Sequence, residues 1–351
     1  MIKKFNLRLF DNDPYTYDPN MNKTTSDGLT AEMKTFYDKN LLEVAGPNLV
    51  HQQFGKKVGI PKNNGKTVEF RKFNTLPKAT TPLTEGVTPS GTPLSVETIT
   101  ATCYEYGNYS TITDILDLTS IDNVILEATN LHGKNAGQTL DTIVRNELVT
   151  GTGVIYAEDS HGDKPATGRS GITSDHKLTA KVVAEAAAVM KKHNAPTIDG
   201  SYVCIIHPSV EFDLITSQGW LDVSKYTDAV SRVFKGEIGK LYGIRFVVST
   251  EAKIWTNETG YTSSGTGTTP ITSAVYGCVV LGKDAYGVID VNGGGLEMII
   301  KQKGSAGTAD PLNQRSTVGW KATAFTAKIL IDEYILRIEC GSSFSDADKE
   351  N

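Results

Sequence analysis

Residues 60–86 read IPKNNGKTVEFRKFNTLPKATTPLTEG. This stretch contains a strand-like run, TVEFRKF at Thr67–Phe73, in which Val68 and Phe70 share one face while Phe73 breaks the alternation. A long polar segment with two prolines follows, and it offers no apolar face that could form a core. The stretch therefore predicts a strand that leads into a projecting tip.

A return strand is indicated at Leu94–Tyr106, LSVETITATCYEY. One of its faces carries mainly Thr and Tyr, and on the other face Glu97 and Glu105 interrupt the apolar residues, so neither is a strong apolar stripe. The two strands together predict a long two-stranded ribbon. Because an isolated ribbon is at best marginally stable in water, we expect this one to need a partner surface.

The composition is typical of a folded protein, and the net charge does not favour binding to nucleic acid. The chain has 351 residues, enough for two or three packed regions, and 39% of them are hydrophobic. The net charge of -5 provides no basic field over the whole surface. The sequence also lacks the apolar runs of a secretory signal or a membrane span, so we expect the protein to stay in the cytoplasm where it is made.

The four cysteines lie far apart in the chain, and no CxxC pair is present. This spacing argues against a zinc or redox site and favours buried, reduced thiols. The residues concerned are Cys103, Cys204, Cys278 and Cys340.

Helical patterns lie on both sides of the ribbon. Polar residues 1–30 predict an arm without its own core, and Thr30 is suited to cap a helix over about 31–45 that ends near Gly46. Ser120–Thr150 keeps its apolar residues at helical spacing and predicts a helix of roughly 40 Å.

From Leu178 onward the pattern alternates between helix and strand. We expect a helix over Leu178–His193, a strand at Tyr202–His207, a short helix at Pro208–Thr216, strands at YGIRFVVS and VYGCVVLG, a closing hairpin of Trp320–Leu330 with Glu333–Cys340, and a loose polar tail at 341–351.

One stretch, GIPKNNGKT at Gly59–Thr67, is similar to a phosphate-binding loop. Its spacing fails, since five residues rather than four separate Gly59 from Gly65, and a strand rather than a helix follows. This stretch is the only sequence feature that leaves a nucleotide-hydrolysing enzyme as an alternative interpretation.

No other pattern predicts catalysis or a cofactor. The histidines lack the spacing of a metalloprotease, and no nucleophile elbow is present. His161 and His176 lie in a loop beside Asp163 and Asp175, which leaves weak metal binding open as the lesser alternative to solvated histidines. We therefore predict no enzyme, no catalytic or metal site and no cofactor.

Several longer stretches resemble the major capsid protein of tailed bacteriophages, in the form found in certain short-tailed phages and prophages. They lie between about Ala31 and Cys340 and read NLVHQQFGKKVGIPKNNGKTVEFRKFNTLPKATTPLTEG, IIHPSVEFDLITSQGW, FKGEIGKLYGIRFV, LGKDAYGV and GTADPLNQRSTVGWKATAF. The fold of that family is shared with herpesvirus capsids and encapsulin shells.

The resemblance implies an α+β fold with the anatomy of a tailed-phage capsid subunit. Its parts would be an N-terminal arm at 1–59, an extended β-ribbon loop at 60–113, a peripheral domain at 114–177 with a spine helix at about 120–150, an α/β axial domain at 178–304, peripheral return strands at 305–340 and a flexible tail at 341–351.

The resemblance also implies a function. The subunit would self-assemble into hexamers and pentamers of an icosahedral head that encloses double-stranded DNA without sequence-specific binding. Scaffolding, portal and decoration proteins would be its partners, no membrane would be involved, and the virion capsid would be assembled in the host cytoplasm. The alternative is an encapsulin-type, non-viral shell that holds cargo protein.

In this interpretation the ribbon packs on the peripheral domain of a neighbouring subunit. Arg71 and Lys72 on one side, and Glu85 near the tip, suit ion pairs with that neighbour, each worth only ~0–1 kcal/mol. The candidate assembly residues are Lys66, Arg71, Lys72, Glu85 and Tyr104.

Overall fold

The computed structural model describes residues 49–60, 66–73, 76–88, 90–120, 124–165, 168–217, 239–256, 273–291, 296–305 and 310–351. Most of the expected N-terminal arm, with the helix expected at about 31–45, lies outside the described residues.

The described chain mixes strands and helices, and the expected α+β class is confirmed. The strands are β1 Lys56–Ile60, β2 Thr67–Phe73, β3 Val96–Thr102, β4 Tyr104–Thr113, β5 Val154–Tyr156, β6 Tyr202–Ile206, β7 Lys240–Leu241, β8 Ile244–Val248, β9 Ile254–Trp255, β10 Val275–Leu281, β11 Tyr286–Val291, β12 Leu296–Lys301, β13 Arg315–Ile329 and β14 Ile335–Cys340. The helices are α1 Asp114–Thr119, α2 Val124–Leu148, α3 Ala180–Lys192 and α4 Pro208–Thr216.

Helix α2 and a five-stranded sheet form one core. The sheet has the order β1-β11-β13-β12, with β4 also paired to β13. The buried residues of α2 recur every three or four positions, as expected for a helix with one face on a sheet. Gly133 and Gly137 are on this buried face, and Leu140 and Val144 pack with Trp320 of β13.

A seven-stranded sheet forms the second core, with the order β5-β14-β10-β6-β8-β7 and β9 paired to β10. Strands β6, β10 and β14 are buried along their whole length, as inner strands covered on both faces are. Helices α3 and α4 pack against this sheet. Pro208 begins α4, where a missing N–H costs nothing, and the side chain of His207 caps it by accepting from the backbone N–H of Ser209 at 3.2 Å.

The expected closing hairpin is wrong. β13 pairs with β4, β11 and β12, whereas β14 pairs with β10 and β5 in the other sheet. A boundary at residue 304 therefore does not separate the two sheets, because β11 and β12 precede it and pair with β13 beyond it. Strand periodicity reports burial of each strand but carries no information about which strand lies beside it.

The ribbon is present but shorter than expected. β2 and β3 form a separate antiparallel pair from Thr67 opposite Thr102 to Phe73 opposite Val96. The return strand ends there, and Tyr104 and Tyr106 already belong to β4 of the five-stranded sheet. None of the described helices is long and apolar enough to cross a membrane.

Candidate assembly surfaces

The base of the ribbon packs on its own subunit, which corrects the expectation that the ribbon lacks a core. Phe70 is 7% exposed and packs with Ala101, Cys103 and Ile289. A Cβ at Gly287 of β11 would lie 2.6 Å from the Phe70 ring, so the ring rests directly on the backbone of the sheet. The apolar face had been missed because its residues come from both strands of the ribbon.

The tip of the ribbon, residues 76–88 and 90–95, is exposed along its whole length. It carries large apolar side chains that belong to none of the hydrophobic clusters of the described residues. These are Leu76, Leu83, Val87 and Leu94, with Phe73 and Val96 at the two strand ends. Several exposed apolar side chains on one projecting segment suit a surface that meets another protein.

Four of the five candidate assembly residues lie in or beside the ribbon, whereas Tyr104 lies in β4 of the five-stranded sheet. Lys66 and Tyr104 come together, since the ammonium nitrogen of Lys66 lies 5.3 Å from the centre of the Tyr104 ring. Glu85 lies in the tip, and no described contact joins it to the others.

Arg71 and Lys72 do not lie on one side, contrary to the sequence interpretation. Successive residues of a strand point to opposite faces, and Lys72 shares the inner face with Phe70 while Arg71 is exposed. Both line a small cavity of about 110 Å³ with Asp284 of the same subunit. Of the two, Arg71 is the better placed to contact a neighbour.

The sequence analysis missed a groove on the five-stranded sheet, which we call the sheet groove. It has a volume of about 650 Å³ and is lined by residues of β4, β12 and β13, among them Gly107, Tyr109, Ile299, Lys301, Arg315 and Gly319. Gly107 and Gly319 lie inside β4 and β13, but the predicted strands ended at Tyr106 and began at Trp320, so the sequence did not indicate the groove.

Helix α1 adjoins the sheet groove, since the backbone N–H of Asp114 donates to the carbonyl of Gln314 at 3.0 Å, next to Arg315. None of its residues is buried, and Ile115, Leu116 and Leu118 are exposed. Helix α1 therefore lies beside the groove and, like it, is exposed among the described residues.

The start of the described chain is anchored to α2 by a buried pair. Asp141 accepts from the backbone N–H of His51 at 2.7 Å and lies 2.6 Å from its Nδ1. The hydroxyl of Tyr286 donates to the carbonyl of His51. Burial and the nearby Asp141 carboxylate raise the pKa of Tyr286, so the phenol stays protonated as a donor. This end of the described chain is therefore fixed to α2 and β11.

The tail at 341–351 is not loose, and that expectation is wrong. Asp213 of α4 accepts from the hydroxyl of Ser342 at 2.8 Å and from the backbone N–H of Ser343 at 2.9 Å. Further along, Arg145 of α2 donates to the backbone oxygen of Asn351 at 2.9 Å. A polar composition is typical of disorder, but here several polar groups of the tail have partners in distant parts of the chain.

Asp348 fixes the middle of the tail and makes it sensitive to acid. Its carboxylate accepts from Tyr276 at 2.6 Å, from Ser345 at 2.6 Å and from Ser209 at 3.1 Å. Burial alone would raise the pKa of Asp348, but the hydrogen bonds from these three hydroxyls hold it below its ordinary value. His207 stacks on Tyr276 with ring centres 5.2 Å apart, and burial lowers its pKa.

We expect the tail to detach in acid. A carboxyl with a depressed folded pKa stabilises the fold above its unfolded pKa of about 4, and this stability is lost as the pH falls through the folded pKa. The lowered pKa of His207 acts in the same direction from about pH 6.5 downward. Hydrogen exchange of residues 342–348 should accelerate as the pH falls, after correction for the intrinsic rate. Asp348→Asn should weaken the acceleration of exchange that occurs below about pH 4. If this acceleration were unchanged in the variant, Asp348 would not be the group that makes the tail sensitive to acid.

The suspected metal loop has a different explanation. Asp159, His161 and Asp175 place possible ligand atoms within 4.8 Å of one another, but His161 and Asp175 are exposed. Asp159 accepts from the backbone N–H groups of His161 and Asp163, both at 2.9 Å, so its carboxylate closes the loop. His176 turns away and accepts from the backbone N–H of Thr173 at 3.1 Å.

The cysteines are buried and unpaired, as predicted. Three of them lie in the core of the seven-stranded sheet, where the sulfurs of Cys278 and Cys340 are 3.9 Å apart. Burial raises the pKa of Cys204, which keeps this thiol protonated.

Comparison with known proteins gives one family and one fold. The family model described as "Phage capsid protein" matches residues 96–335, more than half of the chain. No curated protein matches the chain in sequence.

Solved capsid structures share the fold. The capsid of cyanophage P-SCSP1u is 16% identical with a TM-score of 0.61, covering 84% of this chain and 89% of that chain. The capsid of Ralstonia phage GP4 is 16% identical with a TM-score of 0.61, covering 85% and 88%. The capsid of cyanophage Pam1 is 16% identical with a TM-score of 0.57, covering 80% and 86%. At such identities the likeness establishes the fold.

Proposed function

The chain belongs to the phage capsid protein family, and from this premise we propose that it forms hexamers and pentamers of an icosahedral head that encloses double-stranded DNA. Its role is that of a major capsid protein, a structural protein of the virion shell and not an enzyme. The finer proposal concerns how copies hold one another: the tip of the ribbon reaches over a neighbouring subunit.

The observation that carries this proposal is the contrast between the two ends of the ribbon. The base is held by Phe70 on its own sheet, whereas Leu83 and Val87 in the tip are exposed. Exposed aliphatic side chains on a projecting segment cost solvation free energy until a second surface covers them. In a shell, that surface belongs to another copy of the chain.

Further partners follow from the proposed head. Scaffolding, portal and decoration proteins are proposed to act with the subunit, and assembly is proposed to take place in the host cytoplasm. The net charge of -5 suits a container for DNA, because many phosphate contacts on the inner wall would impede packaging and release. We propose no sequence-specific DNA contact.

An encapsulin-type shell remains the alternative in the same fold. The matched family model, which describes phage capsid proteins, favours the virion. The nucleotide-hydrolysing alternative loses its remaining support, because the Lys-Thr of GIPKNNGKT leads into strand β2 rather than into a helix.

Electron microscopy of the purified chain, alone and co-expressed with candidate scaffolding proteins of its gene cluster, tests the proposal. We expect closed icosahedral particles or tubes made of rings. Particles that carry double-stranded DNA after infection would support the phage head over the cargo compartment. A chain that stays monomeric with every scaffold candidate would refute the proposal.

A further inference from the structure

We infer that the two opposite edges of the seven-stranded sheet meet between copies of this chain, so that Asp163 after β5 of one copy pairs with Lys240 and Arg245 at the β7 edge of a second copy. This contact rests on the proposed function in one respect, because copies of the chain must meet in rings. It adds a charged surface that lies apart from the ribbon.

The β7 edge carries two cations that face each other. Lys240 of β7 lies directly opposite Arg245 of β8. Side chains of directly opposite strand residues share one face of the sheet, and two like charges in this position are destabilising. Neither cation has an ion pair among the described residues. A lysine on an edge strand discourages strand addition, but this does not explain the arginine beside it.

Arg245 also has an unused hydrogen-bond donor. Its Nε is buried and has no hydrogen-bond partner in the part of the chain that the structure describes. The guanidinium lies 5.9 Å from the centre of the Phe54 ring, while the residue as a whole stays partly exposed. A carboxylate from outside the subunit would supply the missing counter-charge and accept from the guanidinium.

The opposite edge of the sheet carries carboxylates without a cation. Asp163, in the loop that follows β5, and the nearby Asp175 are exposed, and neither has an ion pair among the described residues. Asp175 accepts from the hydroxyl of Ser160 at 2.7 Å. The backbone at Asp163 is held because its N–H donates to Asp159 at 2.9 Å. Asp163 therefore presents its carboxylate from a fixed loop.

The contact has to join two copies. The order β5-β14-β10-β6-β8-β7 places the two edges five strand spacings apart, which is about 24 Å. This separation excludes an ion pair within one subunit. A subunit that is acidic at one edge and basic at the other suits a head-to-tail contact, and repeated heterologous contacts of this kind close into rings when the rotation permits.

Charge reversal with rescue tests the pair. Asp163→Lys and Lys240→Glu should each lower the yield of shells at least about tenfold, because every contact of a ring then carries the same repulsion. The combined variant should recover a yield within about threefold of the parent, because the pair is restored with its signs exchanged. The control is Glu333→Lys, which reverses an exposed charge before β14, at the other end of that strand from the loop, and should assemble as the parent does.

A mixture of the two single variants gives a sharper result. In a six-membered ring the variants can alternate, so that every contact joins opposite charges. A five-membered ring cannot alternate and keeps at least one contact between like charges. The mixture should therefore form tubes or sheets of six-membered rings but few closed shells, and a mixture that assembles no better than either variant alone would overturn the inference.

Crosslinking keeps the inference separate from the proposed function. Copies with Asp163→Cys are mixed with copies with Lys240→Cys and treated with a short bismaleimide, and the parent is the background control because its described cysteines are buried. Crosslinked dimers are expected from the mixture and not from either population alone.

The outcomes are distinct. If the parent forms shells but the combined variant does not recover, or no mixed dimer forms, the inference fails while the proposed function stands. If Lys240→Glu forms shells at the parent's yield that hold less DNA, the cations meet phosphate, and the inference also fails. If the parent never assembles, the proposed function fails, and crosslinking of the concentrated subunits alone decides the inference.

Discussion

Replacement of residues 77–89 by a Gly/Ser linker of equal length is expected to leave a folded subunit that forms rings poorly and almost no closed shells. The replaced tip contributes little to the subunit because the described residues of this segment are exposed. We expect it to contribute much to assembly, because its aliphatic side chains would be lost from every proposed contact between copies. A loss of a few kcal/mol per contact, repeated over a shell, exceeds what assembly can tolerate.

Two measurements separate these effects. Thermal melting of the soluble variant should change by no more than about 2 °C, which corresponds to about 1.5 kcal/mol for a chain of 351 residues. Electron microscopy of the assembly reaction should show few or no shells. Normal shells from the variant would mean that the tip is not an intersubunit contact.

The ribbon base provides the matched control. Phe70→Ala removes a ring that rests on Gly287 and is expected to cost the subunit about 3–5 kcal/mol. Its melting temperature should therefore fall clearly, unlike that of the linker variant. If the linker variant melted as low as Phe70→Ala, the tip would belong to the subunit's own core.

The difference between tip and base explains what the sequence could predict about the ribbon. Alternation in Thr67–Phe73 and in the return strand was sufficient to predict both strands. It was not sufficient to predict their support, because Val68 and Phe70 form an apolar face only together with Ala101, which lies opposite Val68. Each strand alone contributes only part of that face, and its few apolar residues among polar ones do not predict an apolar face.

The same limit applies to the candidate assembly residues and to the groove. The sequence shows that Arg71 and Lys72 lie on the ribbon. Which face each side chain points to became clear only from the buried Phe70, because strand residues alternate between faces. The sheet groove depends on the pairing of Gly319 with Tyr109, which are more than two hundred positions apart. The local periodicity of a strand does not indicate such a pairing.

Long-range polar contacts were also beyond the sequence. The tail was expected to be loose because its composition is polar, yet Asp213 holds Ser342 across 129 positions. Composition describes the average cost of ordering a segment, whereas a specific carboxylate acceptor can offset this cost at one place.

A buried charged triad, formed by Glu339 and Arg337 of β14 with Arg169, leads to a second large expected loss of subunit stability. The Glu339 side chain is 0% exposed and accepts from Nε of Arg169 at 2.7 Å and from Nε of Arg337 at 2.7 Å. The guanidinium of Arg169 also lies 3.8 Å from the centre of the Trp255 ring. Arg337 donates further to the carbonyl of Gly151 at 3.1 Å, so the triad joins β14 to the end of α2.

Glu339→Gln keeps the volume of the side chain but leaves two guanidinium groups buried without a counter-charge. Breaking a buried ion pair by removal of one partner costs about 3–5 kcal/mol, and we expect a loss of this size in the free energy of unfolding. The control is Glu185→Gln, which removes a half-exposed pair with Lys164 at 2.7 Å and should cost no more than about 1 kcal/mol. Urea unfolding followed by Trp fluorescence measures both.

A third variant identifies the cause of the loss. In Arg169→Met/Glu339→Leu/Arg337→Met the whole triad becomes apolar, so no charge is left buried and unpaired. Such replacements are often neutral or stabilising, and this variant should be more stable than Glu339→Gln although it changes three residues instead of one. If it were less stable, the triad would act through the carbonyls of Gly151 and the ring of Trp255 rather than through its charge balance. If Glu339→Gln unfolded at the same urea concentration as Glu185→Gln, the buried triad would not be a main source of the subunit's stability.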